Sequence, residues 1–230
     1  MLIVLNHKMN LNINEIRAYE EAVREFDVVV MPQTPYMGLF TGGKYTLGSQ
    51  CISEYNAPGG VSAEALVGLN VKYVLVGHAE RRIVRQENDE IIAQKLMALI
   101  RNNMLPILCV GETMEEKKAG QSHVVIEEQL CNVLNKLEVL PSQLHIAYEP
   151  VWCIGTNEVP SEEEISGTFE LIKKLCLEKY HLEPTLLYGG SVNHSNVQEL
   201  KKIPGLEGFV IGTASLSLEE VVKLYELINS

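Results

Sequence analysis

The feature that most constrains this chain is a recurrence. Short, almost uninterrupted apolar runs rich in β-branched residues return along its whole length, at 2–7, 28–32, 45–50, 73–77, 106–111, 145–149, 185–189 and 208–212. A strand with one wet face alternates apolar and polar residues, whereas a run that is apolar at nearly every position is covered on both faces, as parallel strands under helices are. The stretches between the runs carry helical stripes. Ile16, Tyr19, Val23 and Phe26 form one, and Ile165, Phe169, Ile172 and Cys176 another, at three- and four-residue steps. Ser161 with Glu164 and Ser217 with Glu220 read as capping boxes that start helices. Eight such units average roughly 29 residues each, the size of one βα repeat in a closed barrel. No linker or low-complexity tract divides the chain. The expectation is an α/β fold, one eight-stranded (β/α)8 barrel over residues 1–230 as a single domain, with an open doubly wound sheet as the alternative.

Composition narrows the partners. A chain of 230 residues with 46% hydrophobic and 21% charged residues can bury a substantial core. Its net charge of −11, from 19 basic and 30 acidic residues, argues against nucleic acid or an anionic membrane as partner. It leaves room for a small anionic substrate, because a site can be locally positive inside an acidic protein. Cys51, Cys109, Cys131, Cys153 and Cys176 are scattered with no CxxC pair, which reads as reduced thiols rather than a disulfide or zinc framework. The first residues lack a basic leader, and no apolar run approaches the ~20 residues that span a bilayer. A cytoplasmic protein is expected.

Active sites of such barrels gather at the C-terminal ends of the strands. The first run ends Asn6-His7-Lys8, and alternation puts Asn6 and Lys8 on one face with His7 on the other. A lysine turned into a barrel is costly unless it meets an anion; a stem that snorkels to solvent is the alternative. The fourth run ends Gly77-His78-Ala79-Glu80-Arg81-Arg82, a histidine beside a charge network, to be weighed against a hydrogen-bonded structural histidine. The sixth ends at Glu149, where an apolar strand opens into a loop with the only tryptophan, Trp152, and then Gly155. A carboxylate shielded by apolar groups binds a proton more readily, which suits proton abstraction from carbon; a rim salt bridge is the alternative. Pro150 and Pro160 bracket an apolar segment that can close as a lid. The last two runs end Gly189-Gly190-Ser191 and Gly212-Thr213, where glycines let backbone N–H groups approach an anion.

Together these segments resemble the triosephosphate isomerase family. The motifs are Asn6 to Asn10, Gly77 to Arg82, Cys109 to Glu112, Ala147 to Thr156, Tyr188 to Val192 and Gly208 to Gly212, in the family's order from first strand to last. The resemblance implies a TIM barrel in which Glu149 shuttles a proton between two carbons and His78 polarises the carbonyl as a neutral electrophile. It implies that Lys8 supplies positive charge, that Asn6 orients the bound oxygens, and that Gly155, Ser191, Gly212 and Thr213 hold the phosphate largely through backbone N–H groups. Glu80 resembles a structural carboxylate near Lys8. Cys109 is expected to pack near Glu149, and Glu112 to support the lid. No metal or organic cofactor is implied, and the partners would be a small sugar phosphate and a second copy in a homodimer, in glycolysis and gluconeogenesis.

The match has departures. His7 stands where the family has tryptophan, and Ala79 where a serine hydroxyl holds the glutamate at rest. Thr213 replaces the second glycine of a phosphate-binding pair, and the lid's far end, 156–160, differs from the usual hinge. The loop at 51–60 looks shortened, with Pro58 and Gly60 in place of a threonine and a glutamate that serve the dimer contact. An isomerase of a four-carbon ketose phosphate, of the erythrulose phosphate type, and a non-catalytic sugar-phosphate binder are therefore the alternatives to a triosephosphate isomerase.

Overall fold

The strands are β1 (Leu2–Asn6), β2 (Val29–Met31), β3 (Thr46–Ser49), β4 (Tyr73–Val76), β5 (Leu105–Val110), β6 (His145–Tyr148), β7 (Thr185–Tyr188) and β8 (Gly208–Ile211). In the computed structural model, which describes residues 1–54, 58–156 and 158–230, every neighbouring pair is parallel and β8 pairs back to β1. The sheet is thus a closed (β/α)8 barrel, as the apolar runs predict. Seven strands are shorter than their runs by one or two residues, and β5 keeps the length of its run but begins and ends one residue earlier. Closure leaves no unpaired sheet edge. It needs a small residue at the seam: a Cβ on Gly208 would come within 2.2 Å of the Leu2 carbonyl oxygen and 2.7 Å of Leu187.

Both faces of the strands are buried, in two separate cores. Inside the barrel, Val4, Val29, Met31, Leu75, Ile107, Cys109, Ala147, Leu187 and Val210 pack together. Outside, the alternate residues meet helices α1 (Ile13–Val23), α2 (Ala63–Gly68), α3 (Ala79–Val84), α4 (Asp89–Arg101), α5 (Met114–Lys118), α6 (Ser122–Leu134), α7 (Glu162–Tyr180), α8 (Val197–Leu200) and α9 (Leu218–Asn229). Ile165, Phe169, Ile172 and Cys176 form the buried stripe of α7. Ile16, Tyr19 and Val23 do the same on α1, but Phe26 lies beyond the helix end and stacks on Tyr225 at 4.2 Å instead. Ser161 and Glu164 make a reciprocal capping box at α7. At α9 only half of the expected box forms. Ser217 accepts the Glu220 N–H, while the Glu220 carboxylate takes the backbone and ring nitrogens of His194. A tertiary partner has captured the side chain that the local motif would have used.

His7 faces outward as alternation requires, fully buried and edge-on to Tyr19 with ring centroids 4.3 Å apart. Burial lowers its pKa from the ordinary 6.5 to about 4. Between those values the unfolded chain binds a proton at this site and the folded chain does not, so the unfolded state gains as pH falls. The contribution is fully present above pH 6.5 and is lost as pH drops toward 4, a loss on the order of 3 kcal/mol. Burial shifts His145 in the same direction. His7→Phe is therefore expected to flatten the stability curve across this window. Urea midpoints at pH 7 and pH 4.5 check it; equal slopes for the two proteins would contradict the assignment.

Candidate active site

The strand ends surround one cavity of about 800 Å³. Asn6, Lys8, His78, Glu149, Gly155, Ser191, Gly212 and Thr213 all line it, drawn from the last residue of β1 and the loops after β1, β4, β6, β7 and β8. Glu80, Cys109 and Glu112 stand behind this lining and touch residues that belong to it or to the adjacent loop.

Lys8 reaches the cavity from outside regular structure. β1 stops at Asn6, and Lys8 adopts φ +50°, a left-handed conformation costly for a residue with a Cβ. Its backbone is pinned on both sides: its N–H donates to Asn6 Oδ1 at 3.0 Å, and its carbonyl accepts from Gln50 Nε2 at 2.7 Å. The same Gln50 amide also reaches the Met31 carbonyl at 3.0 Å, tying the ends of β1 and β2 to the loop after β3. The Lys8 ammonium pairs with the Glu80 carboxylate. Burial acts to raise the Glu80 carboxyl, but the hydrogen bond and charge of Lys8 outweigh it and hold it below the usual range.

His78 caps α3. Its Nδ1 accepts the Glu80 N–H at 3.2 Å. A ring nitrogen that accepts carries no proton, which leaves the ring's N–H on Nε2. That nitrogen lies 3.7 Å from Glu149 Oε1. The helix carrying His78 is clamped from behind, since Arg82 donates to the Gly77 carbonyl at 2.9 Å and pairs with Asp89 at 2.7 Å.

Glu149 is 2% exposed, and its Oε2 accepts the Ala79 N–H at 3.2 Å. The close fit extends beneath it: a Cβ on Gly189 would sit 2.7 Å from Glu149 Cγ. Any side chain there would force the Glu149 side chain to shift. Cys109 lies fully buried against Glu149, and burial first, then the Glu149 charge and hydrogen bond, raises its thiol far above the ordinary value. It stays an S–H donor next to the carboxylate.

The loop after β6 is held by two anchors. Glu112 Oε1 accepts from Trp152 Nε1 at 2.9 Å and from the Tyr148 hydroxyl at 3.2 Å, while Lys117 lies 3.7 Å over the Trp152 ring. Ser191 spends its hydroxyl on the Cys153 carbonyl at 2.7 Å, so the loops after β6 and β7 are joined. Gly155 turns with φ +72°. Beyond it, Asn157 lies outside the described residues, as do residues 55–57 of the loop expected to be shortened.

The sequence reading missed Gln50 and the segment from Asn193 to Asn196, which shape the cavity or its supports. It marked Gly189 for an approaching anion, and the structure adds its place beneath the Glu149 side chain.

Known proteins are similar to this chain in sequence. Residues 1–228 match the family described as triosephosphate isomerase. A protein named triosephosphate isomerase from Aquifex aeolicus is 35% identical over 97% of both chains. One of the same name from Mycoplasmopsis pulmonis is 34% identical over 100% of this chain and 97% of its own. A third, from Mycoplasmopsis agalactiae, is 40% identical over 168 residues, 72% of this chain and 63% of that protein. A closed parallel barrel with a glutamate, a histidine and a lysine meeting at its C-terminal end, and a family match running from the first strand through the last helix, lead to one assignment: the chain belongs to the triosephosphate isomerase family.

Proposed function

We propose that this chain is an aldose–ketose isomerase interconverting dihydroxyacetone phosphate and D-glyceraldehyde 3-phosphate by proton transfer through an enediolate. The observation that carries the reading is the convergence of one buried carboxylate, one imidazole N–H and one ammonium on a single cavity. A proton on carbon beside a carbonyl is weakly acidic, so its removal needs a placed base and donors aimed at the oxygens where charge develops. Glu149 is the base. His78 Nε2–H and the Lys8 ammonium are the donors, and Asn6 orients the oxygens. Gly155, Ser191, Gly212 and Thr213 offer backbone N–H groups to the phosphate, which suits an acidic protein that must bind an anion locally. The anchored loop after β6 closes over the substrate and excludes water, which protects an enediolate whose neighbouring phosphate is a good leaving group.

The purified protein is expected to convert glyceraldehyde 3-phosphate in a coupled assay with kcat/KM on the order of 10⁶ M⁻¹s⁻¹ or more. A second reading draws on the cavity's extent, since it runs past the phosphate end along residues 193–196 to Glu220. Faster turnover of a four-carbon ketose phosphate in the same assay would favour that reading. No turnover of either would leave a binding protein.

We further read the chain as a homodimer in a reducing cytoplasm. Met9, beside Lys8, is 83% exposed, an apolar cost that a second copy would remove. The five cysteines are all free. Light scattering should return twice the chain mass; a value of 25.7 kDa would refute the dimer.

A further inference from the structure

The loop after β7 is held by a carboxylate from a different element. Glu220 belongs to the first turn of α9 and lines the far end of the cavity, beside residues 193–196. Its Oε1 accepts the His194 backbone N–H at 2.7 Å, and its two oxygens meet His194 Nδ1 at 2.9 and 2.7 Å. One side chain thus fixes both the backbone and the ring of His194. The rest of the loop is knitted to itself. Ser195 donates its N–H and hydroxyl to Asn193 Oδ1 at 2.9 and 2.5 Å. Asn196 Oδ1 accepts the Asn193 N–H at 2.9 Å, and Asn196 Nδ2 donates to the Ser191 carbonyl at 3.0 Å. A displacement of His194 is therefore passed to Ser191, which the Cys153 carbonyl holds from the other side.

Glu220 has two opposed effects on an anion in this cavity. Its charge repels the anion. Its hold on the loop keeps the Ser191 N–H in place, and a donor already fixed needs no ordering when the ligand arrives. The geometry favours the second effect. Both oxygens are engaged by His194, and the carboxylate has given up the reciprocal half of its own capping box to reach it. The His194 side chain is half exposed, so water at this rim screens the charge.

We propose that Glu220 is a positioning residue for phosphate binding: through His194 it fixes the loop after β7, so that the Ser191 N–H stands ready for the anion. This rests on the reading of that end of the cavity as the phosphate site, and adds how the site is held.

The test separates affinity from chemistry. Glu220→Ala should raise KM for glyceraldehyde 3-phosphate at least fivefold and weaken competitive inhibition by inorganic phosphate by a similar factor. kcat should stay within twofold, because a loosened phosphate loop weakens ground state and transition state alike. Glu220→Gln, whose amide oxygen still accepts the His194 N–H, should bring KM back to within twofold of the natural chain. A lower melting temperature in Glu220→Ala with KM and phosphate inhibition unchanged would make the residue purely structural and overturn the proposal. A KM below that of the natural chain would overturn it too, since repulsion would then be the larger effect. If Glu220→Ala does not fold, unchanged KM and phosphate inhibition in His194→Ala would do so. Failure of the natural chain to turn over either triose phosphate would instead defeat the isomerase reading. Calorimetric titration of inorganic phosphate into the same proteins would then decide the role of Glu220 by the same fivefold criterion.

Discussion

Glu149→Gln should lower kcat at least ~10³-fold, about 4 kcal/mol of transition-state stabilisation, while a phosphate-bearing inhibitor still binds within about threefold of its normal affinity. The substitution keeps the shape and volume of a side chain packed above Gly189 and accepting the Ala79 N–H. The amide oxygen can still take that hydrogen bond, so the fold and the cavity survive. What is lost is the ability to hold a proton. The contrast between turnover and binding separates a base from a residue that merely shapes the site. Retention of more than a tenth of the activity would show that another group takes the proton.

A second large effect concerns a residue outside the cavity. Lys95 on α4 is completely buried, and its ammonium pairs with Glu87, which also accepts from Arg81 Nε on α3 at 2.6 Å. The Cys51 sulfur lies 3.2 Å from the same ammonium. Burial works to raise the Glu87 carboxyl, and the two cations overcome it and keep it ionised. Glu87→Leu would leave a fully buried ammonium with only the Glu54 carboxylate, 3.9 Å away, at a cost of about 3 kcal/mol. For a chain of this length that is a fall in Tm on the order of 10 °C. Arg81 has access to solvent, but Lys95 does not. Adding Lys95→Met to Glu87→Leu should therefore recover much of the loss, since an apolar pair of similar volume replaces a buried ion pair at little cost. A shift below about 2 °C in the single variant, read by calorimetry, would show that the pair contributes little. Because Arg81 lies on the helix whose first turn carries His78, Ala79 and Glu80, the single variant should also loosen the imidazole.

The barrel and its site were legible in the chain to different depths. Apolar runs at a regular interval identify eight covered strands, and the stripe of α7 with its Ser161 cap identifies one helix outright. These are local signals: a period and a cap depend on residues within a few positions of each other. Polar residues at the ends of such runs mark Asn6, Lys8, His78 and Glu149 as well, because a buried strand seldom ends in a charge without use. Where local reading strained, a distant partner had intervened. Glu220 abandons its capping box for His194, and Phe26 leaves the helical stripe for Tyr225.

What the amino-acid order determined by itself is the repeat, the two-sided burial of its strands, and the residue types waiting at their ends. Only closure of the barrel decided the rest. It brought Ala79 to Glu149 across 70 residues, set Gln50 on the carbonyl of Lys8 across 42, and slid Gly189 beneath the Glu149 side chain. The physical reason is range. Strand and helix patterns arise from backbone sterics and neighbouring side chains, while the left-handed Lys8 and the approach to Gly189 exist only because eight strands share one stagger around a common axis.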